Sequence, residues 1–254
     1  MILRKSIRTR LLITLLGLIT ITVILFSLLG VINIFTAGRN AERVGNVTLR
    51  EQAEEYLVNL TQVTAEKHDL GFQRARNDVE YIADYASSIF SHPERYNPAS
   101  YWKAKENMNL NQFGTYLSNS EDLAGSLVVP APDSESDGTL EKLALLDVLF
   151  VPVYKSHPNA LIVSVITKEG VVRSYPNLDM QDFVPPPIDV YLSVPAIDKT
   201  FPANNPGREV IMTSEYEEFI GLGLIVSAAS PIYKDQGEFV GVAILDLSLA
   251  ELTA

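Results

Sequence analysis

The chain has 254 residues, of which 47% are hydrophobic, and it carries a formal net charge of −11 with no cysteine. The acidic balance argues against a nucleic-acid partner, because phosphate binding needs clustered positive charge. Without cysteine there is no disulfide framework, no thiolate metal site and no cysteine nucleophile. His68, His92 and His157 share no helix or hairpin spacing, which disfavours a histidine metal site or a catalytic triad. We expect no metal and no cofactor.

Positive charge is concentrated at the start of the chain. Residues 1–10 hold Arg4, Lys5, Arg8 and Arg10 and no acid, so the other 244 residues carry 16 basic against 31 acidic side chains, a net −15. The next 27 residues, Leu11 to Ala37, contain no charge. As a helix they would be about 40 Å long, enough to cross a hydrocarbon core of about 30 Å.

Residues 11–37 are therefore predicted to form a transmembrane helix in the cell (inner) membrane. The positive-inside rule places residues 1–10 in the cytoplasm and the acidic body outside. The alternative is a cleaved secretory signal, since Thr36-Ala37-Gly38 supplies small residues near a possible cleavage point. Signal cores usually run 7 to 15 residues, however, and this apolar run is about twice as long.

Residues 38–92 are predicted to form a long stalk helix, because all 14 prolines follow residue 92. Apolar or small residues recur along them at helical 3-4 spacing. These are Ala53, Leu57, Leu60, Thr64, Gly71, Ala75, Val79, Ile82, Ala86 and Ile89. Two partners for this stripe remain open: the chain's own globular domain, or a parallel helix of a second copy in a homodimer.

Residues 93–249 are predicted to form a single lobe of class α+β, an antiparallel sheet of about five strands with flanking helices. Helices are expected over Tyr101–Asn111 and over Leu140–Tyr154, with Pro152 favouring an early end of the second. A mobile acidic loop is expected between them at Pro130–Gly138. Strands are expected over Ser126–Val129, Leu161–Ile166, Val171–Tyr175, Glu209–Ser214, Leu222–Tyr233 and Phe239–Leu247, with turns at Lys168-Glu169-Gly170 and Gln236-Gly237.

The last residues contain a helix-start signal. Ser248-Leu249-Ala250-Glu251 is a capping box, which predicts a helix over residues 250–254. Either this helix is short, or the protein continues beyond Ala254, which is the interpretation we favour.

Two segments resemble a known family. The hairpin Ile166–Pro176 and the ending Ser230–Leu249, together with the single anchor and long helix, are similar to the double Cache (dCache) sensor domain. This is the extracytoplasmic PAS-like module of sensor histidine kinases, chemoreceptors, diguanylate cyclases and membrane phosphatases. The resemblance covers about residues 39–254 and implies a lobe that holds a small ligand; the family's second lobe and second transmembrane helix have no counterpart here.

The resemblance also implies ligand-binding residues. Asp246 matches an aspartate on the last strand that pairs with a ligand ammonium, and Tyr216 with Glu218 resembles a Tyr-x-Asp motif. The family's arginine-Pro-Trp-Tyr grip on a ligand carboxylate is missing, and in its place only Tyr191 looks equivalent. Arg173 and Tyr175 are candidates for a replacement anion contact, and Trp102 for a pocket wall.

Each candidate also has a structural interpretation. Asp246 and Arg173 suit solvent-facing strand positions, Tyr191 and Tyr216 suit the edge of a core, and Trp102 suits a helix packed on the sheet. Glu217, Glu218 and Asp246 lack the spacing of a paired-carboxylate hydrolase, so no catalytic residue is predicted.

The sequence therefore predicts a non-catalytic sensory input domain of a membrane receptor. It would bind a small polar metabolite, such as an amino acid, an amine or a carboxylate, and signal by helix movement within a homodimer. The alternative is a membrane-anchored envelope adaptor or structural protein whose lobe binds another protein.

Overall fold

The computed structural model describes residues 7–113, 115–128, 138–178, 180, 187–218 and 220–250. The chain divides into two compact units, Met1–Glu66 and Lys67–Ala254. One helix, α1 (Ile7–Ser91), supplies residues to both. The predicted helix over residues 250–254 lies almost entirely outside the described residues.

The first unit consists of the earlier part of α1. Among the described residues this is the one helix long and apolar enough to cross a membrane, with a mean hydropathy of 2.7 over its most apolar 18 residues. Threonine hydroxyls in this part of α1 donate hydrogen bonds to the helix backbone. Thr20 and Thr22 each donate to the carbonyl oxygen four residues earlier, at 2.8 Å. These side chains thereby present no unbonded donor to an apolar surrounding. The apolar run predicted to span the membrane is thus helical.

The second unit is built on one antiparallel sheet of nine strands. The strands are β1 (Met108–Leu110), β2 (Tyr116–Ser118), β3 (Gly125–Val128), β4 (Ala160–Thr167), β5 (Val171–Tyr175), β6 (Ile211–Met212), β7 (Tyr216–Glu218), β8 (Gly223–Tyr233) and β9 (Phe239–Ser248). They lie in the order β1-β2-β3-β5-β4-β9-β8-β6, and β7 also pairs with β8. The turns after β4 and β8 place Gly170 and Gly237 at φ of 82° and 83°, which glycine adopts without strain.

Helices cover both faces of this sheet. After α1 come α2 (Ala104–Asn107), α3 (Thr139–Ala144), α4 (Asp147–Ser156), α5 (Ile188–Leu192) and α6 (Pro195–Asp198). Two short 3-10 turns, Pro93–Arg95 and Pro98–Ser100, follow α1.

Strand alternation divides the apolar side chains between two clusters. On one side, which we call the helix face, Val163, Val165 and Leu245 pack with the end of α1, α3 and α4. On the other, the cavity face, Ile166, Val172 and Ile244 pack with α5 and α6. Successive strand residues point to opposite faces, so neighbours in sequence belong to different clusters.

The fold class predicted from the sequence, α+β with a long N-terminal helix and an antiparallel sheet, is confirmed. The sheet has nine strands instead of about five. The expected strand Glu209–Ser214 is present as the two-residue β6, whereas β1, β2 and β7 are three residues long each and carry no long apolar alternation that would have predicted them. Tyr101–Asn111 is not one helix: α2 ends at Asn107, and β1 then pairs with β2. The Asn111 side chain stabilises the turn between β1 and β2. It accepts hydrogen bonds from the backbone N–H groups of Phe113 and Thr115, each at 2.9 Å.

Leu140–Tyr154 forms two helices, α3 and α4, and Pro152 lies inside α4 without ending it. The predicted loop Pro130–Gly138 lies outside the described residues except for Gly138. The stripe along α1 divides near the boundary of the two units. Ala75, Val79, Ile82, Ala86 and Ile89 are fully buried in the core of the second unit, whereas Ala53, Leu57, Leu60 and Thr64 are exposed.

Candidate functional site

A cavity opens on the cavity face, between the sheet and the chain segment that carries α5 and α6. Its volume, including the open mouth, is about 910 Å³. The floor is formed by alternate residues of the central strands, among them Ile162 and Ser164 of β4 and Ile244 and Asp246 of β9. Tyr191 of α5 and Ile197 of α6 close the opposite side. Pockets that take small ligands have this mostly apolar, concave form.

Asp246 is the centre of a hydrogen-bond chain at one end of the cavity. The residue is 9% exposed, and its Oδ1 accepts a hydrogen bond of 2.5 Å from Ser227 Oγ. The Tyr216 hydroxyl lies 2.7 Å from the same serine oxygen. Because the single hydroxyl proton of Ser227 is given to Asp246, Tyr216 must be the donor in the second bond. The chain therefore runs from Tyr216 through Ser227 to the carboxylate.

Glu218 brings a second carboxylate to the same end. It is 7% exposed, lies on β7, and lines the cavity together with Asp246. Its Oε2 accepts a hydrogen bond of 2.7 Å from the backbone N–H of Ile220. Two buried carboxylates facing one cavity are costly unless positive charge joins them.

The electrostatics of Asp246 reflect this crowding. Burial raises the pKa of its carboxyl from an ordinary 3.8 to about 7, the hydrogen bond from Ser227 lowers it, and the charge of Glu218 raises it. Burial also raises the pKa of the Tyr191 and Tyr216 phenols, and the charge of Asp246 raises both further. Asp246 thus titrates near neutral pH.

No described residue that lines the cavity is basic. The sequence from Pro176 to Asp198, which includes α5 and α6, likewise contains no Lys, Arg or His. The Asp246 carboxylate therefore has no basic side chain beside it among the described lining residues. This end of the cavity is chemically suited to a cationic group.

The described residues at the other end of the cavity are polar and uncharged. Asn177 lies over Gly125 of β3, so close that a side chain at Gly125 would collide with the Asn177 amide oxygen. The Asn177 amide nitrogen donates to the carbonyls of Asn119 and Asp122 at 2.8 and 3.0 Å. Ser174 of β5, paired with Ser164 of β4, adds hydroxyls beside it. Since β3 and β9 are three strand spacings apart, the two ends lie about 14 Å apart.

The seven residues singled out in the sequence fall into two groups. Asp246, Tyr216, Glu218 and Tyr191 line the cavity together. Arg173, Tyr175 and Trp102 do not, because they lie on the helix face. Within β5, Val172 and Ser174 face the cavity, so Arg173 and Tyr175 point to the other side.

Arg173 is the centre of a buried ion pair on the helix face. It is 1% exposed, and its Nε and Nη2 donate to Asp147 of α4 at 3.0 and 2.6 Å. Its Nη1 donates to Ser126 Oγ at 2.8 Å, and its guanidinium lies 4.8 Å from the centre of the Trp102 ring. The Asp147 bonds tie α4 to the sheet, and the Ser126 bond joins β5 to β3. The anion contact expected of Arg173 therefore does not fit its position.

Tyr175 and Trp102 also have structural surroundings. The Tyr175 ring meets that of Tyr154 edge-on, with centroids 5.2 Å apart. The Trp102 indole donates to Asp122 at 3.1 Å. These contacts match the packing role that the sequence left open for Trp102.

Sequence reasoning missed Ser227, Ser174 and Asn177. Of these three, only Ser227 could have been found from the sequence. It lies two residues from Ala229 on an apolar strand, and alternation places both on the same buried face. Asn177 follows a strand in a segment without periodicity, and its position depends on a contact with distant Gly125. In the described part of the chain, no group of three or more His, Asp or Glu residues is placed to hold a metal ion.

No protein-family model matches the chain. No curated protein matches it either. Among solved structures, the chain is similar to an extracellular ligand binding receptor from Desulfohalobium retbaense, with a TM-score of 0.43, 11% identity, and coverage of 76% of this chain and 25% of that one.

Two chemoreceptor structures are also similar. The sensory domain of Campylobacter jejuni Tlp3 with isoleucine bound gives a TM-score of 0.34 and 13% identity over 74% of this chain and 64% of that one. The ligand binding domain of Pseudomonas aeruginosa PctB in complex with L-Gln gives 0.31 and 18% over 70% and 55%. The chain thus spans a quarter to just under two thirds of these proteins.

Proposed function

We propose that this chain is the extracytoplasmic sensory input domain of a membrane receptor and binds a small molecule with a positively charged group. The observation that carries the proposal is the acidic end of the cavity. Asp246 and Glu218 are buried there, with no basic residue among the described lining residues. A ligand ammonium beside Asp246 would form a charge-assisted hydrogen bond in a site shielded from water.

The ligand head is held by the Asp246 carboxylate and the groups around it. Ser227 orients the carboxylate through Oδ1, and Tyr216 supports Ser227. The Tyr191 side chain lines the cavity from α5 and adds an aromatic ring to its wall. Arg173, Tyr175 and Trp102 have no ligand role in this proposal.

The proposed location follows from the N-terminal sequence. Residues 11–37 anchor the chain in the cell membrane, residues 1–10 stay in the cytoplasm, and the acidic lobe lies outside. The candidate membrane helix found among the described residues supports the anchor. No catalytic step is assigned to the lobe.

The exposed part of α1 supports a parallel homodimer. Leu49, Tyr56, Val63 and Leu70 recur at seven-residue intervals and are between 62% and 67% exposed. Ala53 and Leu60 fall four residues after the first two, which completes an a/d seam of the kind that two parallel helices bury between them. Ligand binding would be transmitted by a shift of these helices, provided that the ligand binds the two arrangements with different affinity.

The adaptor function is the less favoured candidate. A lobe that binds another protein needs an exposed apolar surface, whereas the conspicuous feature of this lobe is a concave, charged cavity.

The test is a thermal-shift screen of the full chain in detergent against amino acids, amines and carboxylates. We expect compounds with an ammonium group to raise the unfolding temperature. Asp246→Asn, which keeps the side-chain shape and removes the charge, should abolish the shift. Glu217→Gln is the matched control, because Glu217 is an exposed acid beside Glu218. If no compound stabilises the chain in a manner that depends on Asp246, the proposed function is wrong.

A further inference from the structure

We infer that the ligand of this cavity is an extended amine with a neutral group, such as a carboxamide, that both donates and accepts hydrogen bonds and lies about 8 Å from the ammonium. An apolar spacer joins the two groups. This inference rests on the proposed function and narrows its ligand class. It depends on the positions of Asp246, of two serines on neighbouring strands, and of two isoleucines between them.

Ser164 and Ser174 place a pair of buried hydroxyls on the cavity floor. They lie directly opposite each other on β4 and β5, are 5% and 8% exposed, and both line the cavity. Among the described residues, neither hydroxyl makes a hydrogen bond within the protein. Buried hydroxyls without partners are unfavourable, so a ligand group that hydrogen-bonds to both serines would gain binding free energy here.

Asn177 adds an acceptor beside these hydroxyls. Its amide nitrogen donates to the backbone carbonyls of Asn119 and Asp122, so its two N–H groups are engaged and its oxygen is the atom available to a ligand. That oxygen and Ser174 Oγ lie 2.8 and 3.4 Å from the point that a Cβ on Gly125 would occupy. Serine hydroxyls donate or accept, whereas the amide oxygen only accepts. A ligand carboxamide, which has both kinds of atom, suits this set.

A carboxylate suits these atoms less well. It has no hydrogen to donate to the Asn177 oxygen, and no described residue that lines the cavity is Lys, Arg or His. The segment Pro176–Asp198 contains no basic residue in its sequence either. Burying a charge without a partner costs more than burying a neutral amide whose hydrogen bonds are made.

The register of the sheet fixes the distance from these serines to the acidic end. On β9 and β4, Asp246 pairs with Ile162, and Ile244 pairs with Ser164. Asp246 and Ser164 are therefore diagonal neighbours on adjacent strands, with Cα atoms about 8 Å apart. The two isoleucines occupy the other diagonal, are buried, and line the cavity. A ligand that joins Asp246 to Ser164 crosses between two apolar side chains, which suits a methylene spacer.

The experiment compares three isosteric amines by calorimetry on the full chain in detergent micelles. They are 6-aminohexanamide, 6-aminohexanoate and 6-methylheptylamine, which carry a carboxamide, a carboxylate and an isopropyl group on the same methylene spacer. When extended, this spacer sets the ammonium and the end group about 7 Å apart, close to the distance on the sheet. We expect 6-aminohexanamide to bind at least tenfold more tightly than either of the others. 4-Aminobutanamide, with a shorter spacer, should also bind at least tenfold more weakly.

Variants identify the groups that contact the carboxamide. The double variant Ser164→Ala with Ser174→Ala should weaken binding of 6-aminohexanamide at least tenfold. It should strengthen binding of 6-methylheptylamine, because two hydroxyls without partners no longer face the isopropyl group. Each single variant should change the two affinities in the same directions, so the result does not depend on how well the double variant folds.

Ser230→Ala is the matched control for these variants. Ser230 is a buried serine of β8, and it pairs with Ala243 of the core on the helix face. Its replacement should leave the preference for 6-aminohexanamide unchanged. A preference that is absent from the wild type, or that persists in the serine variants of the cavity, overturns the inference. So does 6-aminohexanoate binding as tightly as 6-aminohexanamide.

Asp246→Asn separates this inference from the proposed function, because it should abolish binding of every amine in the set. If the amines bind through Asp246 and 6-aminohexanamide has no advantage, the carboxamide class is wrong while the proposed function stands. If the amines bind equally well to Asp246→Asn, the proposed function is wrong as well. If no compound of the set binds, this inference is overturned, and the wider thermal-shift screen decides the proposed function.

Discussion

Ser227 donates a hydrogen bond of 2.5 Å to Asp246, and Tyr216 lies 2.7 Å from the same serine oxygen. The two hydroxyl dipoles therefore align toward the carboxylate. This alignment favours the charged form of Asp246, while burial and the nearby Glu218 favour the neutral form. The balance leaves the carboxyl with a pKa of about 7, so its charge depends on pH in the physiological range.

Amine binding should accordingly depend on pH. An ammonium ligand must displace the proton of Asp246, so its apparent affinity falls about tenfold per pH unit below the pKa of about 7 and levels off above it. Isoamylamine suits this measurement because its ammonium stays charged throughout the range. Calorimetry between pH 5.5 and 8.5 in buffers of different ionisation enthalpy measures both the affinity and the proton released. An affinity that does not change with pH would contradict the assignment of the head group to Asp246.

Replacing Ser227 should move this pH profile. Ser227→Ala removes the hydrogen bond that favours the charged form, so the pKa of Asp246 rises further and the midpoint of amine binding shifts upward. A hydrogen bond to a charged group contributes about 1.5–3 kcal/mol, which corresponds to a shift of roughly one to two pH units. Ser230→Ala is the matched control, since Ser230 is a buried serine of the same strand that points to the other face. A profile that moves equally in both variants would show that the effect is not local to Asp246.

The same carboxyl should make the folded lobe less stable as pH rises. The pKa of Asp246 is higher in the folded chain, about 7, than its ordinary value of 3.8, so the folded state holds this proton more tightly. The resulting stabilisation is fully present below pH 3.8 and is lost as pH rises to about 7. For this one group the loss reaches roughly 4 kcal/mol.

Asp246→Asn removes this contribution, so the test is a comparison of two pH profiles. We expect the unfolding temperature of the wild type, relative to Asp246→Asn, to fall between pH 4 and pH 7. The difference between the two proteins isolates Asp246, because the other titrating groups are common to both. A constant difference over this range would be inconsistent with a buried, proton-binding Asp246.

Replacing Arg173 should lower the free energy of unfolding without changing the affinity for the ligand. Arg173→Met leaves Asp147 charged, buried and without its guanidinium partner, which costs about 3–5 kcal/mol of unfolding free energy. The double variant Arg173→Met with Asp147→Leu should recover much of this loss, because no buried charge then lacks a partner. Urea unfolding of the single and double variants measures both effects. If the double variant still binds amines with wild-type affinity, Arg173 has no ligand contact.

The contrast between Asp246 and Arg173 shows how far the sequence could locate the site. Alternation predicts that Arg173 shares a face of its strand with Tyr175 and that Asp246 shares one with Ile244. Whether Arg173 and Asp246 lie on the same face of the sheet depends on how β4 pairs with β5 and with β9. The hairpin of β4 and β5 is local, but the pairing of β4 with β9 joins segments some eighty residues apart, and no local pattern predicts it. The long apolar strands and the apolar N-terminal helix were predictable, while the short strands β1, β2 and β7 and the position of Asn177 depend on such distant contacts.

The heptad seam on α1 allows a matched test of the homodimer. Val63 lies in the seam with Tyr56 and Leu60, whereas Val58 lies on the opposite side of the same helix, and the two valines are 62% and 64% exposed. Val63→Glu would bury a charge between the two helices and should weaken dimerisation of the full chain in detergent by at least tenfold. Val58→Glu introduces the same charge on a surface that stays solvated, so dimerisation should not change. Analytical ultracentrifugation of both variants at several protein concentrations measures the effect, and equal dissociation in the two variants would exclude this seam as the interface.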